Sequence, residues 1–139
     1  MATTVLLVEE TPDLSLYEAK VLEEAGHRVF RCSGAPTPHS ICPMMHDRPC
    51  PLAEEADVIV FSCALFAPIR GTPYRGEHLL RAYRNHPEYS RKPMLIVSVG
   101  EPPDLPGTGP IATVRKFEDP DAIIAAVEHL SSVVGGRRS

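Results

Sequence analysis

The chain has 139 residues, 43% of them hydrophobic, which is the size of one domain with enough apolar material for a core. A formal net charge of -4, with arginines spread along the chain among acids, argues against a nucleic-acid backbone or an anionic membrane as partner. Met1-Ala2-Thr3-Thr4 lacks a basic region and Val5–Val8 is too short to span or to target, so a cytoplasmic location with reduced cysteines is expected.

Val5-Leu6-Leu7-Val8 is a continuous apolar run that ends in Glu9-Glu10-Thr11-Pro12-Asp13. Such a run suits a central parallel strand covered on both faces. Thr11 as N-cap and Pro12 in the first turn open a helix whose apolar positions are Leu14, Tyr17, Val21, Leu22 and Ala25, closed by Gly26 at C′. His27–Arg31 alternates and is read as a second strand nearer the edge. Residues 32–56 read as mostly loop, with a short helical candidate at His39–Met45.

Val58–Phe61 is the third strand, with Ser62-Cys63 at its carboxyl end. A Pro/Gly-rich loop over 64–75 follows, then a helix from Gly76 to His86 carrying Leu79, Leu80 and Tyr83, ended by Pro87. Met94–Ser98 is the fourth strand. In 100–110, prolines and glycines rule out a standard helix. Ile111–Val114 is the fifth strand. Glu118 or Asp119 caps a last helix with Ile123, Ile124, Val127, Leu130 and Val134 on one face, and 135–139 form a flexible tail after a single domain over 1–134.

Strands alternating with amphipathic helices predict a parallel sheet with helices on both sides. Ligands on such folds meet the carboxyl ends of the strands, here Glu9-Glu10, Ser62-Cys63, Ser98-Val99 and Arg115-Lys116. A second candidate site lies between residues 32 and 50, where Cys32, His39, Cys42, His46 and Cys50 gather. Cys42 and His46 stand four apart, as on one helix face, and Cys32, Cys42, His46 and Cys50 form a donor set suited to tetrahedral zinc. The alternative is cysteines packed under a loop, since no Cys-x-x-Cys pair is present. The phosphate-cradling, dinucleotide and serine-hydrolase glycine motifs are all absent.

The stretch from Val5-Leu6-Leu7-Val8-Glu9-Glu10-Thr11-Pro12-Asp13 to Leu22-Glu23-Glu24-Ala25-Gly26-His27-Arg28-Val29 resembles the opening of the receiver domains of bacterial two-component response regulators. Gly76–Leu80 with Pro93–Ser98, and Phe117–Asp121 with Ile123–Leu130, are similar to later parts of that family. The resemblance implies a flavodoxin-like (CheY-like) α/β three-layer sandwich. Its five-stranded parallel sheet would have the order 2-1-3-4-5, with the fourth helix shortened or missing.

The resemblance assigns Glu9 and Glu10 to the family's Mg²⁺-holding acids, Ser62 to the phospho-acceptor position, Ser98 to the switch hydroxyl, and Arg115 or Lys116 to the lysine ending the fifth strand. Serine lacks the carboxylate that attacks a phosphoryl donor, and Arg115-Lys116-Phe117 lacks the family's proline. The alternative for Glu9 and Glu10 is a pair of solvated acids at a strand end, and for Ser62 a small residue at a tight strand end. Asp57 is expected at the far end of its strand. The expectation is a non-enzymatic, phosphorylation-independent regulatory or scaffolding domain. It needs no cofactor and contacts another protein or a second copy as a homodimer. The long loop, the 100–110 segment and the last helix are its candidate surfaces, with Leu65, Phe66 and Leu105 as contact points. The alternatives are a zinc- or thiol-dependent sensor using residues 32–63 and a phospho-receiver with a displaced acceptor.

Overall fold

A computed structural model describes residues 3–9, 12–32, 50–63, 81–98, 109–115 and 120–135. In chain order the elements are β1 (Thr4–Glu9), α1 (Pro12–Glu24), β2 (Arg28–Cys32), α2 (Pro51–Glu55), β3 (Val58–Cys63), α3 (residues 81–85), β4 (Met94–Ser98), β5 (Ile111–Arg115) and α4 (Pro120–Gly135). All strand pairs are parallel, and the five-stranded sheet has the order β2-β1-β3-β4-β5. This is the expected three-layer α/β architecture. Residues 99–108, where the fourth helix is expected to be shortened or missing, lie outside the described residues, as do 64–80, with the first part of the helix expected over Gly76–His86, and the tail 136–139.

The sheet separates two apolar cores. Leu6, Val8, Ile59, Phe61, Met94 and Ile96 face α2 and α3, meeting Ala53 and Tyr83. Val5, Leu7, Val58, Val60, Leu95 and Val97 face α1 and α4, meeting Ala19, Leu22, Ile123, Val127 and Leu130. Both faces of β1, β3 and β4 are covered, which is why these strands read as unbroken apolar runs. Each such side chain contributes about 1.5–3 kcal/mol by leaving water. The edge strands β2 and β5 instead mix exposed and half-buried positions, in strict alternation along β5.

Helix α1 departs from its predicted stripe. Its buried residues are Ser15, Glu18, Ala19 and Leu22, while Leu16 and Tyr17 are 59% and 52% exposed. The spacing 15, 18, 19, 22 is a true helical face, rotated from the one that Leu14, Tyr17 and Val21 suggest. The two polar members of this face have partners: Ser15 Oγ accepts from Arg31 Nε at 2.9 Å, and Glu18 accepts from Ser62. His27, expected to open β2, precedes it. It follows Gly26, whose φ of +95° suits a helix C′ position, and its Nδ1 accepts the Thr3 N–H at 3.3 Å. Thr3 also pairs its hydroxyl with Ser131 of α4 at 2.6 Å, and His27 Nε2 lies 3.5 Å from Glu128. Asp57 ties down the same end of the sheet. Its Oδ2 accepts from the Thr4 N–H at 3.0 Å, and its own N–H donates to the Thr4 carbonyl at 2.8 Å.

The predicted helix at His39–Met45 lies outside the described residues; within the segment read as mostly loop, a short helix forms at Pro51–Glu55. Pro51 suits its first turn, but five residues do not sustain a helix in isolation. A distant lysine completes it. Lys92 Nζ donates to the carbonyls of Ala53, Glu54 and Ala56 at 2.6, 2.9 and 2.6 Å, capping the carbonyl end of α2 with positive charge. At the other end, the Cys50 N–H donates to Tyr89 Oη at 3.0 Å. The Tyr89 hydroxyl is in turn within reach of the Cys50 carbonyl (3.3 Å) and Glu54 Oε1 (3.2 Å). α2 is therefore a product of the turn after α3 rather than of its own sequence.

Two substitutions test this packing. A Cβ at Gly109 would lie 2.6 Å from the backbone of Arg91 and Lys92, which cannot yield as a side chain can. Gly109→Ala should lower stability by about 1–3 kcal/mol in urea unfolding, the usual cost of overpacking; an unchanged midpoint would contradict the close approach.

Burial pushes the Tyr89 phenol up to about 12. The Cys50 backbone bond works the other way, and Glu54 adds to the rise. A raised folded-state value contributes stability that is complete below the unfolded value near 10 and is lost as pH climbs toward 12. Tyr89→Phe should flatten that alkaline decline while lowering stability at neutral pH by about 1–3 kcal/mol through the unpaired Cys50 amide. Urea unfolding across this pH range measures both.

Candidate functional site

The carboxyl ends of β1 and β3 form a corner beneath α1. The parallel register pairs Glu9 with Ser62 and Ser62 with Val97, and it pairs Cys63 with Ser98 and Ser98 with Arg115. Strand alternation puts Ser62 on the same side as Val58 and Val60, and Glu9 on the same side as Val5 and Leu7. That side is covered by α1, and α1 supplies the third member of the corner. Ser62 Oγ donates to Glu18 Oε2 at 2.5 Å, at the short end of the range for O–H···O hydrogen bonds. Ser62 is fully buried, Glu9 is 2% exposed and Glu18 is 5% exposed.

The corner is therefore a closed polar cluster in an otherwise apolar layer. Glu9 is not the solvated acid of the simpler sequence expectation. The register of β1 against β3 carries it one residue into the covered part of the sheet. Ser62 is more than a small residue at a tight strand end, because its hydroxyl satisfies a carboxylate from a helix 44 residues earlier in the chain. A hydroxyl in this setting can donate a hydrogen bond. It cannot form the acyl phosphate that a carboxylate forms.

Of the other sequence candidates, Arg115 and Asp57 fall outside the corner. Arg115 is exposed, on the face of β5 opposite Ala112 and Val114, which pack on the α1–α4 side. Ser98 is adjacent to Cys63 and Arg115 in the ladder. Glu10 and Lys116 lie outside the described residues. Asp57 sits at the amino end of β3, as expected, where it binds Thr4 rather than the corner.

Of the proposed zinc donors, Cys42 and His46 lie outside the described residues, as does His39. Cys32 and Cys50 are thiols that pack at the α2–α3 core, Cys50 within it and Cys32 against it. Tyr83 donates its hydroxyl to Cys50 Sγ at 3.8 Å. Among the described residues, no group of three or more His, Cys, Asp or Glu side chains is placed to hold a metal ion.

Sequence reasoning missed Glu18. The signal was present: Ala19 and Leu22 fix a helical stripe whose remaining members are Ser15 and Glu18. Leu14 and Tyr17 drew the predicted stripe onto the neighbouring face.

No protein-family model matches the sequence, and no curated protein matches it. Solved structures do. A signal receiver domain of a histidine kinase from Syntrophus aciditrophicus aligns at TM-score 0.66 with 17% identity, over 96% of this chain and 92% of its own. The N-terminal domain of a response regulator/sensory box/GGDEF three-domain protein from Carboxydothermus hydrogenoformans aligns at TM-score 0.64 with 15% identity, over 98% and 99%. The chemotaxis protein CheY4 of Vibrio cholerae aligns at TM-score 0.62 with 15% identity, over 94% and 99%. Together with the 2-1-3-4-5 parallel sheet, these alignments show that the chain has the fold of a receiver domain.

Proposed function

We propose that this protein is a non-enzymatic regulatory domain that works through protein–protein contacts and does not depend on phosphorylation. The fold it shares with signalling domains supports a regulatory role. The observation that carries the phosphorylation-independent part is Ser62. The residue at the acceptor end of β3 is a buried hydroxyl already bonded to Glu18. No carboxylate projects from position 62 toward an incoming phosphodonor, and among the described residues the acids at this corner, Glu9 and Glu18, are themselves covered.

The contacts belong on the outside of the helices and at the β5 edge. Helix α1 presents Leu16 and Tyr17 to solvent side by side, and β5 presents Ile111, 40% exposed. These are the large apolar side chains exposed among the described residues. Leu16 and Tyr17 neighbour each other on α1, while Ile111 lies at the opposite edge of the sheet, so these are two separate candidate contact points. Among the described residues, no helix is long and apolar enough to cross a membrane. The partner is a second copy of this chain or another protein.

The test is intact-mass spectrometry after incubation with acetyl phosphate and Mg²⁺. The expected spectrum is unchanged from the untreated protein. A phosphoryl increment on an aspartate or glutamate would contradict the proposal and establish a displaced acceptor. Native mass spectrometry of the same sample separates self-association from a requirement for a different partner.

A further inference from the structure

The outer side of α1 carries a pattern of charge that identifies what it fits. Ser15, Glu18, Ala19 and Leu22 turn inward. At about 3.6 residues per turn, Asp13, Tyr17, Lys20 and Glu24 line the opposite side, with Leu16 beside them, and all five are exposed. Leu16 and Tyr17 are the apolar centre of this strip. Asp13 stands three residues before Leu16, and Lys20 stands three residues after Tyr17. Opposite charges thus lie at equal distances from the centre. A half-turn about an axis between Leu16 and Tyr17 lays acid on base at both ends and sets Leu16 against Tyr17. The strip is therefore complementary to its own copy in the antiparallel direction, as a two-fold interface requires. A parallel copy would set Asp13 on Asp13 and Lys20 on Lys20. Among the described residues, neither Asp13 nor Lys20 is engaged in an ion pair within the chain.

The carboxyl end of α1 adds a separate observation. Its last turn holds the exposed acids Glu23 and Glu24 and no basic residue, which is the unfavourable sign for the negative end of a helix dipole. An antiparallel copy on the same axis brings these acids beside the start of the partner's α1, where the amide end is positive.

We infer that the outer face of α1 is a self-association surface on which a second copy of this chain docks antiparallel, with Leu16 and Tyr17 at the centre and an Asp13–Lys20 pair at each end. The inference rests on the reading of this protein as a domain that works through protein contacts, and it names the partner. A strip one helix wide buries little area, so the pair is weak and forms as concentration rises. Its exposed ion pairs add little energy and set direction and register instead.

The experiment is sedimentation velocity over a concentration series for wild type, Asp13→Lys, Lys20→Glu, Tyr17→Ser, and an equimolar mixture of the two charge variants. Circular dichroism of each variant confirms its fold. Wild type should pass from monomer to dimer as concentration rises. Each charge variant sets like charge against like at both ends and should associate about tenfold more weakly or worse. Tyr17→Ser removes the apolar centre without touching the charges and should weaken association by about tenfold or more. The mixture should recover association, because the two bases of one variant meet the two acids of the other. A wild type that stays monomeric, association that the three variants retain, or a mixture no better than either variant alone would overturn the inference.

The phosphodonor experiment separates this surface from the reading it rests on. A monomeric wild type with an unchanged mass removes the α1 surface and leaves a phosphorylation-independent domain whose partner is a different protein. Recovery in the mixture together with a phosphoryl increment keeps the surface and removes the independence from phosphorylation.

Discussion

A parallel sheet covered on both faces leaves no water for the side chains of its central strands. In this protein the described side chains of β3 and β4, and those of β1 from Val5 onward, are all buried, so a polar group among them must be satisfied by another part of the protein. At the amino end of the sheet the partners come from a neighbouring strand, from the residue after α1 and from α4. Asp57 and Thr4 bond each other across neighbouring strands, and Thr3 is held by His27 and Ser131. At the carboxyl end a partner is supplied by a helix, because the strand residue there is Ser62 and its partner is Glu18. Glu18 shares the buried face of α1 with Ser15, Ala19 and Leu22, which leaves Leu16 and Tyr17 exposed on the other side of the helix.

The opposite face obeys the same constraint with different groups. Cys50 and Tyr89 exchange backbone and hydroxyl hydrogen bonds at one end of α2, and Lys92 satisfies its last carbonyls. The buried Arg84 guanidinium donates to the Gly109 carbonyl at 3.1 Å, joining α3 to the approach to β5. Gly109 itself must lack a side chain because the backbone of Arg91 and Lys92 lies against it. The turn after α3 thus organises one layer of the molecule much as the Glu18–Ser62 bond organises the other.

How legible each part was depends on whether its cause is local. Val5–Val8, Val58–Phe61 and Met94–Ser98 announce buried parallel strands by composition, and the sheet order followed from the resemblance of the first 30 residues to receiver domains. Met94–Ser98 has the expected ends, while β1, β3 and β5 extend past their apolar runs because ladder pairing continues to Glu9, Cys63 and Arg115. The helix at Pro51–Glu55 was illegible because its stabilising cation is Lys92, some 40 residues away in sequence. The place of Ser62 at the carboxyl end of β3, next to Cys63, was readable. Its partner was missed although Ala19 and Leu22 set a stripe that includes Glu18, because an acid on a helix ordinarily marks the solvent side and the exposed Tyr17 gave a false apolar anchor.

The central claim is that the acceptor corner is occupied by a hydrogen bond between Ser62 and Glu18. The most direct measurement is solution NMR of the Ser62 hydroxyl proton. A buried, bonded hydroxyl exchanges slowly with water, so a resolved resonance with a nuclear Overhauser contact to the Glu18 side chain is the predicted result. A Ser62 hydroxyl in fast exchange with water, with Glu18 showing no contact to β3, would contradict it.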